Sequence, residues 1–357
     1  MSHSPPQNCS RILYTVEVAQ ASGVTNDFYS NIVSWSKTAK QVAVGVNKTC
    51  SIWKLNKNCK TPISFECPDV ITCVSCSYED LVVIGTEAGK IYVISQSDGR
   101  LRATYILDNI PIHTCTWFKN NKRFLVGDSS GNVYMIKTIH KQGILILKKD
   151  FTFKFHQQLV CGIVLNSDET QVAFGCGDCT VTVWKLEKYR FPVIKFILPH
   201  TSAVKAMGFC PWAPSLLATG GGYSDRTIRF WHTNTGTLLN SYFTNSQITS
   251  LNWCHSRREL VATFGPGHGG SILEVYKFPS MKPVKRNLLE PLFIRVSGAS
   301  ASPDGRYLCV MCSDSTIRTY KIWGNGSNQM VHNGFDVFES SLISLAEGLN
   351  HPSPVIR

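Results

Sequence analysis

Residues 200–231, HTSAVKAMGFCPWAPSLLATGGGYSDRTIRFW, limit the possible folds more than any other stretch of this chain. Apolar and polar residues alternate over 203–209 and again over 227–231, with a short apolar run at 216–219 between them. The glycines at 220–222 mark a tight turn. Runs of this length and period are typical of short antiparallel strands, so the stretch predicts consecutive strands of one small sheet.

The same pattern of three short strands recurs along the chain. The residues that mark the end of the third strand in successive units are Trp53, Ile94, Ile136, Trp184, Trp231, Tyr276 and Tyr320. The intervals are 41, 42, 48, 47, 45 and 44 residues, which is close to the period of WD repeats. Seven such units predict an all-β chain folded as a seven-bladed WD-repeat β-propeller.

The repeats divide the chain into three parts. Residues 28–323 are predicted to form the propeller. The lead, residues 1–27, contains the strand pattern ILYTVEVA at 12–19. We expect this short lead strand to close the ring by completing the last blade, because an open ring would leave a sheet edge unpaired. Residues 324–357 lose the strand pattern, and we expect them to form a flexible C-terminal tail.

Composition bears on the compartment and on membrane contact. No apolar run approaches the roughly 18 residues of a membrane helix, and the N-terminus has no basic-then-apolar signal, so we expect no membrane contact. Many of the 14 cysteines lie in strand-like runs, among them Cys50, Cys73, Cys161 and Cys309. Buried free thiols indicate a reducing compartment, and we therefore expect nucleus and cytoplasm.

The chain is basic, with a formal net charge of +12. Such a charge favours acidic partners in general. The basic residues are scattered, however, and the densest clusters are the pairs at 257–258 and 285–286. Because no stripe of interleaved basic and aromatic residues occurs, we do not expect nucleic acid to be the primary partner.

Four residues of the fifth repeat have the side chains of a hydrolase site: His200, Thr219, Asp225 and Trp231. The favoured interpretation is structural, namely a hydrogen-bond chain that locks the blade and satisfies buried polar groups. His156, Asp178 and Trp184 form a partial copy of the same set in the fourth repeat.

Other motifs that suggest chemistry have simpler explanations. GPGHGG at 265–270 matches G-x-G-x-x-G, but a strand follows it where a dinucleotide site needs a helix. The Cys-x-x-Cys pairs at 73–76 and 176–179 have no His or Cys partners at zinc-site spacing. The sequence therefore predicts no metal, no cofactor and no enzymatic activity.

Two stretches carry a resemblance to a known family. AVKAMGFCPWAPSLLATGGGYSDRTIRFWHTNTGTLLNSYFTNSQITSLNW at 203–253 and NDFYSNIVSWSKTAKQVAVGVNKTCSIWKL at 26–55 closely resemble the Fizzy and Fizzy-related activators of the anaphase-promoting complex. Residues 160–178, 275–281 and 302–320 are similar to later blades of the same proteins. The resemblance covers 12–323, and the chain is identified as a divergent member.

The resemblance implies a substrate adaptor that binds short degrons and presents degron-bearing proteins to the ligase. Destruction boxes bind between the first and last blades of the family, where acidic side chains meet an arginine. Asp27 matches one acidic position, and Ser315 stands where relatives carry the second acid. A single carboxylate is expected to weaken the arginine anchor.

KEN boxes bind the upper face of the family's ring. Gln247 and Arg295 match contact positions there. Gly177, Tyr223 and Ser34 stand where Asn, Thr and Asp are expected, so KEN recognition is expected to be altered.

The two ends of the chain carry further implications of the resemblance. Ile356 and Arg357 match the Ile-Arg terminus by which the family docks to ligase subunits. That docking suits an apolar side chain followed by a guanidinium and a free carboxylate. No C-box resembling Asp-Arg-Tyr-Ile-Pro precedes residue 26, so the chain is either a truncated or alternative product or binds without full activation. The mismatched degron positions and the divergent early blades suggest a specialised meiotic or germline paralogue. We expect the propeller to be monomeric.

Two alternatives remain open from the sequence. The first is a WD-repeat interaction scaffold that shares only ancestry with the ligase activators, because fold alone does not determine function. The second is an RNA-binding propeller, which would show steeply salt-dependent affinity for nucleic acid.

Overall fold

The computed structural model describes residues 11–13, 15–21, 23, 27–38, 40–54, 62–187, 190–254, 257–266, 270–287, 290–291 and 293–323. Within these ranges the chain forms 29 strands and no helix. No helix long and apolar enough to cross a bilayer occurs there. The predicted tail, with Ile356 and Arg357, lies outside the described residues.

Seven sheets follow one another along the chain, and they are antiparallel apart from one added edge strand. Blade 1 comprises β3 Val33–Trp35, β4 Gln41–Val46, β5 Thr49–Lys54 and β6 Ile63–Glu66. Blade 2 comprises β7 Ile71–Cys76, β8 Leu81–Thr86, β9 Lys90–Ser95 and β10 Leu101–Ile106. Blade 3 comprises β11 Ile112–Trp117, β12 Arg123–Asp128, β13 Asn132–Lys141 and β14 Ile144–Lys154. Blade 4 comprises β15 Val160–Leu165, β16 Gln171–Cys176, β17 Thr180–Lys185 and β18 Val193–Pro199.

Blades 5 to 7 complete the ring, and the last two of them also contain the strands of the lead. Blade 5 comprises β19 Val204–Cys210, β20 Ala213–Gly221, β21 Thr227–His232 and β22 Thr237–Phe243. Blade 6 comprises β23 Ile248–Trp253, β24 Glu259–Phe264, β25 Leu273–Lys277 and β26 Lys282–Asn287, with β1 Arg11–Leu13 added. Blade 7 comprises β27 Val296–Ala301, β28 Tyr307–Cys312 and β29 Thr316–Lys321, with β2 Thr15–Gln20 as its fourth strand. The predicted seven-bladed propeller is confirmed.

The ring closes through contacts between the innermost strands of neighbouring blades. These strands contact one another in order from β3 to β27, and β27 returns to β3. A cluster of buried apolar side chains fills each of the seven interfaces between blades. Apolar burial between blades therefore stabilises the ring as one unit.

The lead makes two strands where the sequence analysis expected one. β1 pairs in parallel with β26, the outer strand of blade 6. β2 pairs antiparallel with β29 and completes blade 7. The chain thus passes from the outer edge of one blade to that of the next, which covers two exposed sheet edges.

Close packing between blades explains glycines at the ends of several second strands. A Cβ at Gly175 would lie 2.3 Å from the carbonyl oxygen of Val204 in the next blade. A Cβ at Gly220 would lie 2.6 Å from the Ile248 side chain. Only glycine permits this approach.

Blade 5 contains a hydrogen-bond chain through four buried side chains. His200 Nδ1 lies 3.1 Å from Asp225 Oδ2, and His200 Nε2 lies 2.8 Å from Thr219 Oγ1. Trp231 Nε1 donates to the same hydroxyl at 2.8 Å. Burial lowers the pKa of His200. Burial opposes ionisation of Asp225, but hydrogen bonds from His200 and other donors hold its pKa well below the usual range.

Thr219→Val tests the contribution of this chain to stability. The substitution keeps the side-chain shape but leaves the Trp231 indole and a ring nitrogen of His200 without a partner, which should cost about 2–4 kcal/mol. The free energy of unfolding in urea, followed by tryptophan fluorescence, measures the loss. Thr237→Val, at an exposed position of β22, is the matched control and should change stability by less than about 0.5 kcal/mol. Equal effects of the two substitutions would contradict the structural role.

Candidate functional site

The predicted degron-binding positions lie on one face of the ring. We call this the front face; it holds the connections that lead into each innermost strand and the turns between the second and third strands. Asp27, Gln247 and Arg295 lie in the first kind of connection, and Ser315 lies in the second kind of turn. The opposite side is the rear face. The front face therefore brings together positions that are far apart in sequence.

Five residues that precede the first innermost strand cross the mouth of the central channel. We call residues 27–31 the axial segment. Asn31 Nδ2 donates to the carbonyl oxygens of His113 in blade 3 and Cys161 in blade 4, both at 2.9 Å. Its backbone pairs with blade 2, because Asn31 N donates to Thr72 O at 2.9 Å. One asparagine thus ties the segment to three blades.

Lys205 of blade 5 holds the same segment from the other side of the channel. Its buried ammonium donates to the carbonyl oxygens of Ser30 and of Ser297 in blade 7, each at 2.6 Å. The Phe28 ring centroid lies 5.8 Å from Lys205 Nζ. Burial lowers the pKa of Lys205 to about 8, and the nearby charge of Asp27 opposes this shift. A single buried cation therefore links blades 1, 5 and 7.

Asp27 begins the axial segment and is half-buried. Its Oδ1 accepts a hydrogen bond from Tyr29 N at 3.0 Å, and its Oδ2 accepts one from Ser30 Oγ at 2.5 Å. Its charge favours the protonated forms of Lys205, His113 and Arg295. The axial segment therefore places a carboxylate in a pre-formed turn among cationic and titratable groups.

Ser315 lies in the turn between β28 and β29 of blade 7, which packs directly against blade 1. It has a φ of +62°. Its carbonyl oxygen accepts a hydrogen bond from Ala21 N at 2.8 Å. Its hydroxyl cannot supply the negative charge of a second acid, so Asp27 is the single acid among the two predicted destruction-box positions.

The acids close to Ser315 already have a partner. Arg318 pairs with Glu290 at 2.6 Å and also with Asp314. Its Nε donates to Thr316 Oγ1 at 2.8 Å. The same Asp-x-Thr-x-Arg arrangement occurs in blade 5, where Arg229 pairs with Asp225 at 3.0 Å. This cluster is therefore a recurring feature of the blade rather than a free acidic site.

Gln247 and Arg295 occupy equivalent positions in blades 6 and 7, each just before the innermost strand. Their carbonyl oxygens accept hydrogen bonds at 2.8 Å from Gly265 N and Ser313 N respectively. Gln247 Oε1 and Arg295 Nε are buried and have no partner among the described residues. Burial lowers the pKa of Arg295, and Asp27 opposes this shift. Each side chain therefore has one buried polar atom that could still form a hydrogen bond.

The other front-face residues differ in accessibility. Tyr223 is exposed, and the Arg226 guanidinium lies 4.7 Å from its ring centroid. Ser34 is instead buried in β3, where its hydroxyl accepts a hydrogen bond from Cys76 N at 2.9 Å. Ser34 lines the channel, a cavity of about 180 Å³. A ligand on the front face meets Tyr223 before it meets Ser34.

One cluster has the ligand types of a metal site. Ligand atoms of His156, Cys176 and Asp178 lie within 4.8 Å of one another. Both ring nitrogens of His156 are engaged, with Asp178 Oδ2 at 2.8 Å and Thr182 Oγ1 at 2.9 Å. Trp184 Nε1 donates to the same Thr182 hydroxyl at 3.0 Å. The cluster is blade 4's version of the blade 5 hydrogen-bond chain, with Thr182 in place of the second-strand threonine.

Sequence reasoning missed the two residues that position the axial segment. Lys205 follows the first residue of an otherwise apolar run, VKAMGFC, and a lone cation in such a run is the signal that was available. Asn31 offers no comparable signal, because its partners lie 82 and 130 residues away.

Comparisons with known proteins agree with this architecture. Residues 19–320 match the CDC20/Fizzy WD40 domain family. The meiosis-specific APC/C activator protein AMA1 of Saccharomyces cerevisiae is 34% identical over 373 residues, covering 93% of this chain and 62% of that protein. Meiotic fizzy-related protein 2 of Schizosaccharomyces pombe is 28% identical over 358 residues, covering 94% of this chain and 69% of that protein.

A solved structure gives the same result for the fold. A chain in the crystal structure of the mitotic checkpoint complex superposes with a TM-score of 0.77 at 25% identity, covering 91% of this chain and 96% of that chain. The family match runs from the ring-closing strand to the last strand of blade 7. The chain therefore belongs to the CDC20/Fizzy family of WD40 proteins, whose curated relatives include activators of the anaphase-promoting complex.

Proposed function

We propose that this chain recruits degron-bearing proteins to the anaphase-promoting complex. The observation that carries the proposal is the front face, where the axial segment presents Asp27 beside blade 7. Family membership supports the same role, since AMA1 is named as an activator of this ligase. The chain spans 62% of the length of AMA1, so activation by the whole protein is part of the proposal.

Asp27 is proposed to bind the arginine of a destruction box. A carboxylate held by Tyr29 N and Ser30 Oγ retains further lone pairs for a guanidinium. Ser315 adds no charge, so the anchor depends on one acid. Such a half-exposed ion pair contributes about 1 kcal/mol.

Gln247 and Arg295 are proposed to contact a KEN box. Their buried Oε1 and Nε atoms have no partner among the described residues, so a side-chain rotation toward the surface would let them hydrogen-bond to a polar peptide that crosses the front face. The glycine at 177 supplies no side-chain amide, so we expect this contact to be weaker than the destruction-box contact.

The remaining parts of the proposal concern docking and location. Ile356 and Arg357 are proposed to dock to a ligase subunit, which leaves catalysis to the ligase and gives the propeller no reaction of its own. We propose that the protein acts in the nucleus and cytoplasm as a monomer. The buried thiols of Cys50, Cys73 and Cys309 are compatible with a reducing compartment.

Asp27→Asn tests the proposed arginine anchor. The amide keeps the size of the side chain but removes the charge, so affinity for a destruction-box peptide should fall about fivefold. Fluorescence anisotropy with a labelled peptide measures the change, and a peptide with its arginine replaced by alanine should bind both proteins equally. Asp304→Asn, an exposed acid on the rear face, is the matched control. Equal affinity of Asp27→Asn and the unchanged protein would refute the anchor.

Removal of the last two residues tests ligase docking. Purified ligase should be captured by the intact chain, and capture should fall at least tenfold without Ile356 and Arg357, because the apolar and charged contacts are lost together. Ser353→Ala controls for changes elsewhere in the tail. Undiminished capture would eliminate the docking role of the terminus. Failure of the intact chain to capture ligase would favour the scaffold alternative.

A further inference from the structure

Blade 3 carries a hairpin that is longer than the rest of the blade. β13 and β14 have 10 and 11 residues, whereas β11 and β12 have six each. Gln142 and Gly143 turn the chain with φ values of 51° and 79°, as a two-residue hairpin turn requires. Because β13 runs from front to rear, residues 138–147 project beyond the blade at the rear face. We call them the blade 3 hairpin.

The two faces of this hairpin have different surroundings. Ile139 pairs with Ile146, and Lys141 pairs with Ile144, so these four side chains share one face. Leu145 and Leu147 lie on the other face and are buried in the cluster between blades 2 and 3. Ile139, Ile144 and Ile146 remain 40%, 63% and 43% exposed. The hairpin is therefore packed on one face and uncovered on the other.

The uncovered face is on the same side of the sheet as a groove that combines aromatic and charged side chains. Met135, Phe151 and Phe153 on that side meet blade 4. The groove between blades 3 and 4 has a volume of about 520 Å³ and is lined in part by Phe118, Phe151 and Phe191. Phe191 is 79% exposed, and its ring lies 5.8 Å from that of Phe151. Grouped apolar exposure of this kind is typical of an interaction surface.

The charges on the hairpin strands favour an acidic partner. Lys141 and Lys148 lie on the uncovered face, and within the described residues neither makes an ion pair. The acid of β14, Asp150, is already neutralised by Lys137 at 2.6 Å and by Arg123 at 3.8 Å.

One acid at the far wall of the groove, Glu187, is also paired, whereas Asp168 and Glu169 of blade 4 line the groove without an ion pair within the described residues. Glu187 pairs with Lys185 at 2.8 Å and with Arg190 at 3.3 Å. Cationic groups therefore remain available on the hairpin while Asp150 and Glu187 are already matched. The carboxylates of a partner could therefore pair with Lys141 and Lys148, because Asp150, the acid of these two strands, is already paired with other cations.

The outer edge of β14 is also available. Among the described strands, β13 is its hydrogen-bonded neighbour and no strand follows on the other side. The chain shows elsewhere that such an edge accepts an additional strand, because β1 adds to β26 of blade 6. An extended peptide would satisfy the backbone groups of β14 while its side chains met Ile144 and Ile146.

We propose that the blade 3 hairpin docks an extended segment of a partner protein in which apolar and acidic residues alternate. The lysines distinguish this occupant from a second copy of the same strand, which would place like charges in opposition. The proposal does not depend on degron binding, because it concerns the opposite face of the ring.

Selection from a random 12-residue peptide library displayed on phage tests the proposal with the full chain as bait. Library members that bind the intact protein but not the double variant Ile144→Ser, Ile146→Ser should be enriched in Asp or Glu interleaved with Ile, Val, Leu or Phe. Leu238→Ser provides the matched control, since Leu238 is a 45% exposed residue on the outer strand of blade 5. Selection on the Leu238→Ser variant should recover the same peptides as selection on the intact protein.

A synthetic peptide of the selected sequence then tests the charge requirement. Lys141→Glu with Lys148→Glu should weaken binding at least tenfold, and added salt should weaken binding to the intact protein. Circular dichroism and the unfolding midpoint show whether each variant keeps its fold. Recovery of no hairpin-dependent peptide, of peptides without acidic residues, or of peptides insensitive to the lysine substitutions would overturn the proposal.

Discussion

The front face depends on one buried cation at the centre of the ring. Lys205 donates to carbonyl oxygens of the axial segment and of blade 7, and burial of its ammonium is tolerated because both acceptors are held at 2.6 Å. An unpaired ammonium in this position would be strongly destabilising. The Asn31 amide makes the matching contacts to blades 3 and 4. Together they fix a short segment that ordinary strand pairing does not reach.

The two faces of the ring are stabilised in different ways and offer different chemistry. The front face is organised by polar contacts across the channel; it presents Asp27, and the unpartnered polar atoms of Gln247 and Arg295 lie buried beneath it. The rear side of blade 3 is organised by apolar packing on one face of a long hairpin. Apolar clusters fill the interfaces between blades and stabilise the ring. The ring therefore does not depend on the contacts within either surface for its stability.

Much of the architecture follows from local patterns. Short alternating runs at a regular interval predict blades, and the residues that end the third strands mark the repeat. The blade 5 side chains from His200 to Trp231 were recognisable because a buried imidazole, hydroxyl, carboxylate and indole need one another as partners. The division of the lead into β1 and β2 could not be read from the sequence, since no glycine or proline interrupts ILYTVEVA. The blade that each half meets is fixed only by contacts with distant residues.

The rest depends on contacts between distant residues. Lys205 and Ser30 are 175 residues apart, and no local period relates them. The blade 3 hairpin escaped notice for a different reason. Its second strand begins with the continuous apolar run ILIL, which does not show that Leu145 and Leu147 are buried while Ile144 and Ile146 are exposed. Site geometry here is a property of the closed ring rather than of any single repeat.

A double-mutant cycle between Lys205→Met and Asp27→Asn tests most directly whether the buried ammonium of Lys205 positions Asp27, the proposed partner of the destruction-box arginine. Destruction-box peptide affinity would be measured for both single variants and the double variant, with unfolding midpoints recorded alongside. If Lys205 acts through Asp27, Lys205→Met should weaken binding to the unchanged acid and have little further effect once Asp27 is asparagine. Additive losses in folded variants would contradict the account.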